Sequence, residues 1–215
     1  MTRSTYVKPG TIRGLGLVVG LIGLVAALAG PTYAISGAFQ AGAAVVVPVE
    51  LIEPPVTDAA RTSASLPALP DGVRIAGLTP GSELELSAPG STVLEQLLSR
   101  GDAAVLGLAV GLGAWLLRPL LASVAAGRPF GAGNARRLAG LASVVVVAAG
   151  IGPLLPQIAS LAVLDRLDLV GPDSPFVMGL TFAFTPAVLT GLLLLVLAEA
   201  FRQGERLSAD VEGLV

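Results

Sequence analysis

Few side chains in this sequence are of a type that does chemistry. Gln157 lies between Pro153 and Pro156, and Thr181, Thr185 and Thr190 surround Pro186 farther along the chain. Prolines that interrupt a helix free backbone carbonyls, so these amide and hydroxyl groups are candidates to line a small polar cavity within a membrane. The stretch GRPFGAGNARRLAGLA, residues 127–142, sets arginines and glycines in front of a hydrocarbon run. Its Gly131-Ala132-Gly133 precedes a helix start as a phosphate cradle would, but no strand leads into it and no P-loop lysine follows. Glu83 and Glu85 in SELELS are spaced as alternate residues of a strand, not as an acid–base pair.

The missing residue types narrow the chemistry further. There is no histidine and no cysteine, which removes the commonest general base and metal ligand and all thiolate and disulfide chemistry. The expectation is a non-enzymatic protein without a catalytic residue, cofactor or metal. A net charge of −2 gives no reason to expect direct nucleic-acid binding.

The elements that must position these residues are hydrophobic. Apolar residues make up 53% of the 215 and charged residues 13%, against about 25% charged in soluble domains. Mean hydropathy is +0.82. Residues 14–39, 97–118, 138–164 and 176–201 are each apolar enough to cross a bilayer, which takes roughly 20 helical residues. Backbone amides in lipid must be satisfied within the segment, so these are expected to be helices. Thr32-Tyr33-Ala34 loosely fits a cleavage site, so the first helix has an alternative reading as a signal peptide.

Residues 40–92 differ in being rich in Pro, Ser, Glu and Val. AAVVVPVELIE reads as a strand that Pro48 confines to an edge. VRIAGL and SELELS read as a hairpin, with Arg74 near one of the glutamates. About 50 residues is near the lower limit for an independent core, so this module is expected to lean on something else. The expected fold class is an all-α membrane protein: four transmembrane helices and a small β-rich extracytoplasmic module between the first two, with residues 1–215 as a single membrane domain.

Arginine placement sets the orientation. Arg3, Lys8, Arg13, Arg118, Arg128, Arg136, Arg137, Arg202 and Arg206 fall on one side; Arg61, Arg74, Arg100 and Arg166 fall on the other. Both termini are therefore expected to be cytoplasmic, in a bacterial cell membrane. Arg118 belongs at the inner interface if the second helix starts near Leu97. The GxxxG patterns at 16–20 and 107–111 permit close helix contact. Asn134 is placed to cap the third helix through its side-chain oxygen. The C-terminal stretch, with Glu205, Asp210 and Glu212, is expected to fold back on the 127–138 loop, Arg136 or Arg137 meeting one of those carboxylates and Phe130 packing with Phe201. Leu207, Val211 and Leu214 would share one face of that helix end.

These two stretches carry a family resemblance. Gly127, Pro129, Phe130, Asn134 and Leu138 match a G-x-P-F…N…L loop, and Phe201, Gly204, Leu207 and Asp210 match an F-x-x-G-x-x-L-x-x-D/E ending. In these motifs and in its four-span layout the chain resembles the bacterial membrane proteins grouped as domain-of-unknown-function family 2975. The family has no assigned activity, and some members are encoded beside a small helix-turn-helix regulator. The resemblance implies a regulatory or accessory role. Gly127, Pro129, Phe130, Asn134, Arg136, Arg137, Phe201, Gly204, Leu207 and Asp210 are then the candidate surface for a cytoplasmic regulatory protein. The lipid bilayer and a second copy of the chain are the other expected partners. The competing expectation is a small transporter or channel subunit using Gln157, Thr181, Thr185 and Thr190.

Overall fold

The computed structural model describes residues 9–51, 69–76, 84–171, 174–177, 180 and 185–212. It is 70% helical. Four helices are long and apolar enough to cross a membrane, within Gly10–Ala38, Gly101–Ala125, Asn134–Arg166 and Thr185–Asp210. The chain divides into two compact units. One comprises Met1–Gly30, Val105–Gly150 and Ala183–Val215; the other comprises Pro31–Ala104 and Ile151–Phe182.

The first unit holds the greater part of α1 (Pro9–Ala38), α3 (Gly101–Ala125), α4 (Asn134–Ile151) and α6 (Thr185–Glu212). Small residues let the backbones approach. Gly23 lies against Ala114, Gly111 against Ala27, and Gly107 against Gly30 and the Ala26 carbonyl. Leu141 covers Gly113, Leu116 covers Gly140, and Val146 covers Gly191. Leu120, Leu138 and Ala198 form a buried cluster to which Phe201 adds its ring. Elsewhere the helices are inside out: only 11–17% of the most apolar stretch of each span is buried, and large side chains such as Leu17, Leu21, Trp115, Leu193 and Val196 point outward. An apolar exterior of that extent is stable in hydrocarbon and not in water.

The second unit is built around a three-stranded antiparallel sheet of β1 (Val45–Val49), β2 (Arg74–Ala76) and β3 (Leu84–Ala88), in the order β1-β3-β2. The expected hairpin is present, since β2 pairs with β3, and Pro48 does stand on an edge strand, opposite Glu85. Arg74 faces Ser87 across the hairpin and makes no ion pair with a described residue; Glu83 lies outside the described residues. Val45, Val47, Leu84, Leu86 and Ala88 alternate inward and pack on Ala159, Val163, Leu164 and Phe176. Leu51 bridges to Phe176, and the Val177 amide donates to the Glu50 carbonyl at 2.8 Å.

Three boundaries differ from the sequence expectation. The second helix is two: α2 (Val93–Ser99) opens on a Thr92–Glu95 capping box, and α3 begins after Arg100. The third is also two, α4 ending at Ile151 and α5 (Leu154–Arg166) starting after Pro153. The inner face of α5 belongs to the core of the sheet, which the apolar composition of LLPQIASLAVL serves as well as lipid does. The fourth helix starts at Thr185 instead of 176, and Phe176 is buried against the sheet. The module is thus larger than 40–92, because α2, α5 and Phe176 complete it.

A polar cluster holds that unit together. Glu95 Oε2 accepts from the Thr92 amide at 2.8 Å, and Glu95 Oε1 accepts from Arg166 Nε at 2.8 Å. Buried Gln96 donates through Nε2 to Ser91 Oγ and the Ala44 carbonyl, and Ser91 Oγ donates to the Ala43 carbonyl. Arg100 lies over the Tyr33 ring, 5.2 Å from its centroid, and donates to Gln40 Oε1 at 2.7 Å.

Candidate functional site

The loop between α3 and α4 is shaped by its glycines. Gly127 has φ of 73°, a left-handed conformation that costs glycine little. Its amide donates to the Val124 carbonyl and the next amide, of Arg128, donates to the Ser123 carbonyl. That pair of bonds is a Schellman ending, and Pro129 directly after it cannot continue the helix. Gly133 has φ of 88°, and its carbonyl accepts from the Arg137 amide in the first turn of α4.

Asn134 is fully buried at this junction. It does not cap α4 in the expected way, because the Gly133 carbonyl already takes the Arg137 amide. Asn134 Nδ2 instead donates to Ser123 Oγ and to the Pro129 carbonyl, and its Oδ1 accepts from Arg137 Nη1 at 2.8 Å. One side chain therefore ties together the end of α3, the loop and Arg137.

The end of α6 does meet the loop, with different partners from those expected. Phe130 and Phe201 pack edge to face, 5.3 Å between centroids, a favoured aromatic geometry. Gly204 makes room for this: a methyl group there would lie 2.8 Å from Phe130 Cγ and Cε1. Glu205 Oε1 accepts from the Ala135 amide at 3.3 Å, which puts an acidic group at the N-terminus of α4, where the helix dipole favours it. Neither Arg136 nor Arg137 makes an ion pair with a described carboxylate; Arg136 is exposed and Arg137 is held by Asn134. Short loop geometry brings the backbone amide closer to Glu205 than either long side chain.

The candidate surface thus separates into two sets. Phe130, Asn134, Phe201, Gly204 and Leu138 interlock. Gly127, Arg128, Arg136, Arg206, Leu207 and Asp210 are exposed, Leu207 at 67%, and Pro129 is half-buried. Leu214 lies outside the described residues. Glu205 was missing from the expected contacts as a helix cap, although an acidic residue four places beyond Phe201 was visible in the sequence.

The described candidate cavity residues belong to two different units. Gln157 is half-buried on α5 in the sheet-bearing unit. Thr185 and Thr190 are exposed on α6 in the other, and Thr190 Oγ1 donates to the Pro186 carbonyl at 2.8 Å. Thr181 lies outside the described residues. Pro186 does not break a helix: it stands in the first turn of α6, where no backbone bond is lost. The 107–111 Gly-x-x-x-Gly pattern serves helix packing as expected, whereas in the 16–20 pattern Gly20 meets only the Arg118 side chain and Gly16 has nothing within 4 Å. No family model, curated protein or solved structure matches the chain.

Proposed function

We propose that this chain is a non-enzymatic accessory or regulatory protein of the bacterial cell membrane, with both termini in the cytoplasm and residues 40–92 extracytoplasmic. In this reading, the 127–138 loop and the end of α6 form one surface that docks a cytoplasmic regulatory protein. The observation that carries the reading is the interlock itself. Phe130, Phe201 and Gly204 fit together while Glu205 accepts from the Ala135 amide, so two chain segments far apart in sequence are built as a unit. A topology anchor needs arginines near a helix end; it does not need that fit. The fixed framework presents Arg128, Arg136, Leu207 and Asp210 outward, a mixed basic, apolar and acidic rim of the kind that selects a protein partner.

Cross-linking in native membranes with mass spectrometry tests it. Wild type is compared with an Arg136→Ala, Arg137→Ala variant that inserts normally. Specific capture of one cytoplasmic protein by wild type, lost from the variant, is the expected result. Equal capture by both, or capture by neither, removes the docking surface from this loop.

A further inference from the structure

Two arginines outside that surface share one face of a helix pair. On α1, Arg13, Gly16, Gly20, Gly23, Ala27 and Gly30 recur at intervals of three and four, which places them along a single stripe. On α3, Gly107, Gly111, Ala114 and Arg118 do the same. The contacts Gly30–Gly107, Ala27–Gly111, Gly23–Ala114 and Gly20–Arg118 lay the two stripes against each other in antiparallel sense. Small residues meet small residues along most of the seam, and the pattern then changes at Arg118. Its side chain crosses Gly20: a methyl group built there would lie 3.6 Å from Cδ and 3.9 Å from Nε and Nη1. Arg13 continues the α1 stripe beyond that crossing.

Both arginines are exposed, and neither makes a hydrogen bond or ion pair with a described residue. Arg137 is engaged by Asn134, Arg166 by Glu95 and Arg202 by Glu199, whereas Arg74, Arg128, Arg136 and Arg206 are exposed like Arg13 and Arg118; what distinguishes Arg13 and Arg118 is their place at one end of the α1–α3 seam. Depth matters here. Arg118 lies about 25 Å along α3 from Gly101 at 1.5 Å per residue, near the far boundary of a hydrocarbon core roughly 30 Å thick. Trp115, one turn earlier, is 70% exposed, and tryptophan at the surface of a span settles at the headgroup level. A guanidinium at that depth meets phosphate, whose oxygens match its planar donors. Two guanidiniums at one end of the seam, one from each helix, favour a lipid with net negative charge over a zwitterionic one.

We propose that Arg13 and Arg118 together bind the phosphodiester of an anionic phospholipid at this end of the α1–α3 seam. The site does not depend on the docking surface or on which side of the membrane the termini lie.

The test is native mass spectrometry of the full chain released from nanodiscs of phosphatidylglycerol and phosphatidylcholine in equal parts. Wild type is expected to retain phosphatidylglycerol about 30-fold over phosphatidylcholine, the scale of two basic groups near an anionic surface. Arg13→Gln with Arg118→Gln brings retention to parity, whereas Arg13→Lys with Arg118→Lys keeps most of the preference. Arg74→Gln, on the sheet, leaves it unchanged. If the glutamine pair fails to insert, Arg118→Gln alone decides, with about fivefold lower preference expected. No preference in wild type, or an undiminished one in the glutamine variants, overturns the proposal. Displacement of the retained lipid by excess inorganic phosphate also overturns it, by making the site one for a soluble anion.

Discussion

Glu95 and Arg166 are joined at 2.8 Å with the carboxylate almost wholly buried and the guanidinium about a quarter exposed. The same carboxylate closes the capping box on Thr92, so one side chain fixes the start of α2 and the end of α5. Arg166→Ala leaves that carboxylate buried without its partner, which costs several kcal/mol at a fully buried site. With the partial exposure of Arg166, about 2 kcal/mol is expected. The loss is read as a lower unfolding midpoint in detergent and as faster amide exchange confined to residues 84–99 and 154–167. Unchanged exchange there would show that the pair does not hold the unit.

Gly204→Ala puts a methyl group into the ring of Phe130. The ring must leave its edge-to-face position on Phe201, at a cost of about 1–3 kcal/mol by the usual penalty for overpacking. Amides of the 127–138 loop are expected to exchange faster, and Phe130→Ala should restore tolerance of the alanine. The two substitutions combined should therefore cost less than their sum. Additive costs would mean that the contact between Phe130 and Gly204 is not formed in the membrane.

Glu205→Gln removes a charge from the N-terminus of α4 while keeping an oxygen that can accept from the Ala135 amide. Glu205→Ala removes both. The expected costs differ accordingly, with up to about 1 kcal/mol for the loss of the charge and a further increment for the orphaned amide. Proton exchange at Ala135, followed site by site, should rise in the order wild type, glutamine, alanine. A reversed order would place the carboxylate elsewhere.

Glycines on α1 and α3 divide sharply by contact. A methyl group at Gly107 would press on the Gly30 Cα at 3.0 Å and on the Ala26 carbonyl, whereas Gly14 has nothing within 4 Å. Gly107→Ala is expected to lower the unfolding midpoint in detergent through a cost of about 1–3 kcal/mol. Gly14→Ala is expected to be neutral or slightly stabilising, since alanine is the better helix former. Equal effects at both positions would argue against the close crossing of α1 and α3.

Much of this architecture is legible in the residues, and the departures have physical causes. Pro48 confines β1 to an edge because it cannot donate to a ladder, and the alternation in SELELS reveals β3. Phe130 and Phe201 pair as expected, since two aromatic side chains bordering a membrane find each other readily. The end of the third span misleads because Ala159, Val163 and Leu164 look the same whether they face lipid or a sheet. The signal that separates them is polar: Ser160 is buried on the same helix and Arg166 ends it with an ion pair. The spacing from Thr92 to Glu95 is a recognisable capping box, but nothing in it points to Arg166, which lies 71 residues farther along the chain. Glu205 was expected to seek an arginine, and a backbone amide competes for a carboxylate without leaving any mark in the sequence.

The sheet core has a consequence for the order in which the protein is made. Val45 and Val47 leave the ribosome early, but the residues that cover them, Val163, Leu164 and Phe176, come only after α4 has been synthesised. Until α5 and Phe176 have been made, those valines have no roof. A chain that stops short of α5 carries an open sheet, with its apolar face offered to proteases and chaperones. Closure of the sheet is therefore a late event, one that waits for the chain to be made as far as Phe176.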